Sequence, residues 1–110
     1  RVIVSSPLVR ALQTAEIVAA EVGVSRVETS RDLAPAGDSA SLVSALVRDH
    51  RKRAMIVGHE PDLSSLVAAL TGPFTRDMLK AMVVGLHVAP GEPGRLGFVL
   101  EPKELAIERV

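Results

Sequence analysis

Val2-Ile3-Val4-Ser5-Ser6-Pro7-Leu8-Val9-Arg10-Ala11-Leu12-Gln13-Thr14-Ala15 runs a short apolar segment straight into a helical repeat. Residues 2–4 are too few for a helix and uniformly apolar, which suits a strand buried on both faces. Ser6 is a candidate N-cap and Pro7 a first helical residue, where its missing N–H does no harm. Leu8, Ala11, Leu12, Ala15, Val18, Ala19 and Val22 then follow the 3.6-residue period, and Gly23 ends the helix. This corner puts Arg10 in the first turn. A helix N-terminus carries partial positive charge and unpaired N–H donors, so a cation is locally unfavourable there. An anion between the arginine and the helix end removes the conflict. The alternative is a surface pairing of Arg10 with Glu16 or another acid.

A second corner repeats the design. Met55-Ile56-Val57-Gly58-His59-Glu60-Pro61 ends a strand over 54–57 and opens a helix at Pro61, with Leu63, Leu66, Val67 and Leu70 inward. Thr71-Gly72-Pro73 stops that helix. Between the corners, 24–29 reads as a weaker strand and 32–38 as a loop with Pro35 and Gly37. A helix capped by Asp38 or Ser39 then runs to about Arg48, with Leu42, Val43, Leu46 and Val47 inward. Residues 74–81 read as a short helix or ordered loop. Strands over 82–88 and 96–100 flank the turn Pro90-Gly91-Glu92-Pro93-Gly94. Alternating strands and helices predict an α/β sheet with crossovers, closed by an antiparallel hairpin. Ligands in such sheets sit beyond the carboxyl ends of parallel strands. If the two corner strands are parallel, Ser6, Arg10 and His59 project from one edge.

The bulk composition narrows the function. A chain of 110 residues makes one domain. It is 47% apolar, yet Phe74 and Phe98 are the only aromatics, so the core must be Val, Leu, Ile and Ala. Thirteen basic residues balance 13 acidic ones, leaving no basic excess for nucleic acid or an anionic membrane surface. Anion recognition must therefore be local. Without cysteine there is no disulfide and no thiolate metal site, and His59 and His87 lack metal-ligand spacing, so no metal or cofactor is expected. No apolar run approaches a membrane span and no signal peptide is visible, which points to the cytoplasm. There is no GxSxG elbow, Walker A loop or GxGxxG. The basic cluster over 48–53 reads as a solvated helix C-terminus, with a phosphoprotein-docking patch as the alternative. His50 reads as a solvent residue and His87 as a sheet-face residue.

Ser5-Ser6-Pro7-Leu8-Val9-Arg10-Ala11-Leu12-Gln13-Thr14-Ala15 resembles the SSPxxRAxQTA signature of the histidine phosphatase superfamily, and Val57-Gly58-His59-Glu60-Pro61 its VGHEP-type signature. Leu33-Ala34-Pro35-Ala36-Gly37-Asp38 and the closing Val99-Leu100-Glu101-Pro102-Lys103-Glu104-Leu105 are similar to its short phosphohistidine phosphatase branch. The resemblance implies a phosphoglycerate mutase-like three-layer sandwich with a mostly parallel central sheet and a C-terminal antiparallel hairpin. It implies a phosphate pocket of two arginines and two histidines, one histidine being phosphorylated transiently. Arg10 matches the second arginine and His59 the second histidine, both as catalytic phosphoryl-binding groups; Ser6 and Glu60 join them as phosphate-binding candidates. The implied partner is a phosphorylated protein or a small phosphorylated substrate.

Two departures from the pattern matter. No Arg-His-Gly, the motif holding the attacking histidine and first arginine, occurs in these 110 residues. The chain opens at Arg1 and enters a strand at once, so the expectation is a histidine phosphatase domain over 1–110 whose front end is absent and which has little turnover alone. The resemblance puts the Arg-His-Gly strand beside the strand ending at His59, predicting a gap lined by residues 2–4 and 54–57. The second departure is Leu33-Ala34-Pro35, where proline stands in place of a glutamate proton donor. An imidazole leaving group needs that proton less than an alkoxide does, which fits phosphohistidine. Asp38 and Glu60 are the possible substitutes, with a helix N-cap and a first-turn acid as their plainer roles. A small-molecule phosphomonoesterase and a non-catalytic phosphate- or phosphoprotein-binding module are the competing functions.

Overall fold

The computed structural model describes residues 1–51, 53–72, 78, 82–101 and 106–109. It divides into two compact units, Arg1–Asp62 and Leu63–Val110. The first contains β1 (Val2–Ser5), α1 (Val9–Val22), β2 (Val27–Thr29), a 3₁₀ turn (Arg31–Leu33), α2 (Ser39–Arg48) and β3 (Ala54–Val57). Helix α3 (Asp62–Thr71) starts at the boundary, and β4 (Val83–His87), β5 (Arg95–Glu101) and β6 (Ala106–Arg109) follow in the second.

In the first unit β1 lies between β2 and β3 and is parallel to both. Helical crossovers make this possible, since parallel neighbours cannot be joined by a tight turn. Successive residues of β1 face opposite sides. Ile3 packs against Ala15 and Ala19 of α1, joined by Met55 and Val57 of β3. Val2 and Val4 pack against Leu33 and Leu46, with Leu42 and Ile56 alongside. All four residues of β1 are buried. Burying Ile3 alone contributes about 1.5–3 kcal/mol.

Helix α1 departs from its expected start. It begins at Val9 with Leu8 as N-cap, not at Ser6 and Pro7. The reason is tertiary: the Ser6 N–H donates to the Val57 carbonyl at 2.9 Å, so Ser6 still belongs to the β1–β3 ladder. Its inward face also differs. Ala11, Ala15 and Ala19 are buried, while Leu8 and Val22 are 45% and 44% exposed. A ridge of alanines four residues apart seats the helix on Ile3 and turns larger neighbours outward. Gly23 ends the helix as expected, at φ 77°. Helix α2 also begins as expected, with Asp38 as N-cap.

The second unit holds an antiparallel sheet, β4–β5–β6. The strands over 82–88 and 96–100 are present and pair antiparallel, but β6 extends the expected hairpin to three strands. Among the described residues the strands form two three-stranded sheets, one parallel and one antiparallel. A Cβ at Gly85 would run into the Phe98 ring, which explains a glycine inside β4. The Gly94 N–H donates to the Leu70 carbonyl at 2.8 Å, tying the 90–94 turn to the end of α3. Apart from Met78, residues 74–81 lie outside the described residues, as do 102–105 of the closing motif.

The expected gap between residues 2–4 and 54–57 is absent. Val2 to Ser5 pair directly with Ala54 to Val57. Among the described residues β3 has β1 as its sole strand neighbour and β4 has β5. Burial matches: Met55, Ile56 and Val57 are half-buried, whereas β1 is buried throughout.

Candidate functional site

The two strand-to-helix corners meet at the carboxyl edge of the parallel sheet. The register that sets Ser5 beside Val57 delivers Ser6 and Gly58-His59 to the same edge. There the His59 Nε2 lies 2.8 Å from the Ser6 Oγ. Ser6 is 0% exposed and His59 half-buried. The Ser6 Oγ also accepts the Leu8 N–H at 3.2 Å. Beneath it, the Ser5 hydroxyl donates to the Ser6 carbonyl at 2.8 Å. One buried hydroxyl thus joins the first turn of α1 to the histidine of the second corner.

Arg10 lies in the first turn of α1, exposed. Among the described residues its guanidinium has no hydrogen-bond or ion-pair partner, and the alternative pairing with Glu16 is not formed. Leu8 offers no side-chain oxygen as N-cap and the first turn holds no acid. The positive end of α1 and the free arginine therefore share one region with no anionic side chain from the helix itself. Glu60 is exposed at the second corner. The structure brings Ser6 and His59 into contact; among the described residues no hydrogen bond or ion pair joins Arg10 to either of them.

Two backbone anchors hold the loop between β2 and α2 beside this edge. The Ser30 N–H donates to the Ser5 carbonyl at 3.0 Å. The Ala36 N–H donates to the Asp62 carboxylate at 2.7 Å. Ala36 sits at φ 63°, a left-handed conformation uncommon for alanine. Gly37 is required for space, since a Cβ there would approach the Asp32 carbonyl oxygen to 2.5 Å. Asp62 was invisible as a loop anchor in the sequence; an acid opening a helix signals only a dipole partner.

Asp38 is engaged in its own cap. The Ser41 hydroxyl donates to it at 2.7 Å and the Ser41 N–H at 3.1 Å. These bonds hold its carboxyl below the ordinary 3.8. In the basic cluster, Arg51 forks onto Glu28 at 3.0 and 2.6 Å, and Arg48 pairs with Asp49 at 3.8 Å. Hydrogen bonding to Arg51 holds the Glu28 carboxyl below its usual value. His50 and His87 are both exposed. Among the described residues no three His, Cys, Asp or Glu side chains gather to hold a metal ion. No helix there is long and apolar enough to cross a membrane.

No protein-family profile matches this chain. No curated protein sequence matches it either. The fold is that of the protein histidine phosphatase SixA, whose structure was solved in complex with tungstate. The two share a TM-score of 0.83 and 23% sequence identity, across 96% of this chain and 71% of that one.

Proposed function

We propose that this chain carries the phosphoryl-binding half of a phosphohistidine phosphatase site, acting on a phosphorylated protein histidine. The observation that carries the reading is the meeting of two parallel strand-to-helix corners, with His59 held on Ser6 at 2.8 Å and Arg10, in the adjoining first turn, unpaired among the described residues. A guanidinium grips two phosphoryl oxygens at once and stabilises the charge spread over them during transfer. His59 adds a donor from the second corner, and the α1 N-terminus adds backbone N–H groups. Glu60 stands at the rim of the same site.

The substrate class follows from what the loop lacks. Pro35 stands where a carboxylate would serve, and both oxygens of Asp38 are committed to Ser41. Glu60 at the rim is then the remaining candidate donor, and so sparse a supply of protons suits a leaving imidazole better than a leaving alkoxide. The likeness of fold to a protein histidine phosphatase supports the same class. We further propose that 1–110 is the larger part of one three-layer histidine phosphatase domain. Its attacking histidine comes from an Arg-His-Gly strand outside these residues, in a cytoplasmic protein that needs no cofactor. By itself the chain binds the phosphoryl group without turning it over.

The test measures phosphate release from a phosphohistidine protein and from a chromogenic phosphomonoester. It uses a protein in which this chain is joined to an N-terminal segment bearing Arg-His-Gly. Release from the phosphohistidine protein, lost in Arg10→Ala and His59→Ala, is the expected result. Preference for the phosphomonoester would favour a small-molecule phosphomonoesterase. Tungstate binding without turnover in either form would favour a phosphate-binding module.

A further inference from the structure

We infer that Ser6 is a positioning residue: its buried hydroxyl donates to the His59 Nε2 and fixes the neutral imidazole with its proton on Nδ1. The inference rests on the proposed phosphoryl site, whose donor it specifies.

The argument is a count of donors and acceptors. A serine hydroxyl has one proton to give and two lone pairs to receive. Ser6 is 0% exposed, so water cannot take that proton. The Leu8 N–H, at 3.2 Å, is a donor and fills a lone pair. The Ser5 hydroxyl, 2.8 Å from the Ser6 carbonyl, is directed to the backbone. Among the described residues the one remaining acceptor within reach of the Ser6 proton is the His59 Nε2, at 2.8 Å. Were that nitrogen to carry the hydrogen of a neutral ring, the Ser6 proton would be buried with no acceptor. Satisfying both groups requires a bare Nε2, which leaves the hydrogen on Nδ1. The Nδ1 has no partner among the described residues.

The consequence is chemical. A neutral His59 so held presents an N–H donor at Nδ1, suited to a phosphoryl oxygen. Its Nε2 lone pair is occupied by Ser6, and its Nδ1 has no lone pair in the ring plane. His59 therefore has no free lone pair with which to attack phosphorus. The hydroxyl of Ser6 is spent in this contact, so Ser6 serves the anion through His59 and not by touching it.

Nitrogen-15 spectroscopy of the imidazole tests this on the folded chain without ligand, as pH is raised until the ring is neutral. The Nδ1 of His59 is expected to report a bound hydrogen and the Nε2 a bare nitrogen, with the preference lost in Ser6→Ala. One hydrogen bond biases the two forms by about tenfold. A wild-type spectrum with the hydrogen on Nε2 overturns the inference, whether or not Ser6→Ala folds. Titration with tungstate gives a separate readout. Binding weakened about tenfold in Ser6→Ala, with circular dichroism unchanged, supports the positioning role. The Ser6 assignment is read from the ligand-free tautomer, and the phosphoryl-site reading from whether the wild-type chain binds tungstate.

Discussion

Arg10 is the residue whose position is hardest to explain by folding alone. An exposed arginine in a first helical turn, unpaired among the described residues, does nothing visible for α1. Its removal should therefore leave stability within about 0.5 kcal/mol, as for ordinary surface substitutions. In a turnover-competent protein, Arg10→Ala should cut phosphatase turnover by about 10²-fold, the scale of losing a charge-stabilising donor. Thermal melting and steady-state kinetics check both halves, and unchanged turnover would remove Arg10 from the site. Glu28 offers the opposite case, a charge with a structural partner. Its carboxyl is held below the ordinary 4.5 chiefly by hydrogen bonding to Arg51. A depressed carboxyl stabilises the fold above its unfolded value and loses that contribution as pH falls through the folded one. Glu28→Gln should melt slightly lower than wild type at neutral pH, the two converging below 4.5. Both partners are more than a third exposed, so the shift is small.

At the scale of elements, the contact between α1 and the sheet separates pattern from packing. Periodicity assigned seven residues to the inward face, yet the fully buried ones are Ala11, Ala15 and Ala19. Ala15 is 0% exposed against Ile3, so enlarging it must push the helix off the strand. Ala15→Leu should destabilise by about 1–3 kcal/mol in chemical denaturation, the usual cost of overpacking. Ile17, 67% exposed on the same helix, should tolerate alanine with a change near zero. A second element-scale expectation concerns the loop over 34–38. Asp62 holds the Ala36 N–H at 2.7 Å while Ala36 keeps a left-handed backbone. Asp62→Ala should raise amide exchange at Ala36 and Gly37 by an order of magnitude or more, leaving exchange in β1 unchanged.

For the whole molecule, the open question is what completes the chemistry. Ser6, Arg10 and His59 of the proposed phosphoryl site all lie in the first unit, and no Arg-His-Gly occurs in the sequence. The chain alone should release phosphate at background rate from a phosphohistidine protein, and robustly once joined to a segment bearing that motif. Robust release by the chain alone would show that the nucleophile has been misassigned. The side of β3 with no strand neighbour among the described residues, whose Met55, Ile56 and Val57 are only half-buried, is where an added strand would find backbone groups to pair with. Joining such a segment should also raise the melting temperature; an unchanged value would mean that β3 is stable as an edge.

The sequence by itself determined what repeats locally. Strand-to-helix corners at residues 2–12 and 54–63, the Asp38 cap and the Gly23 stop all follow from spacing within a few residues, because dihedral preference and side-chain period are local properties. The parallel alternation was legible too, and with it the edge on which Ser6 and His59 would meet. Tertiary structure alone decided the rest. The β1–β3 ladder claims the Ser6 N–H and so moves the start of α1 to Val9. The direct pairing of β1 with β3 and the third antiparallel strand depend on which backbone edges find each other, and periodicity carries no record of that. The hydrogen bond from Ser6 to His59 joins residues 53 positions apart. It exists because two parallel strands end in register, so the donor of the proposed site was set by sheet geometry and not by either corner alone.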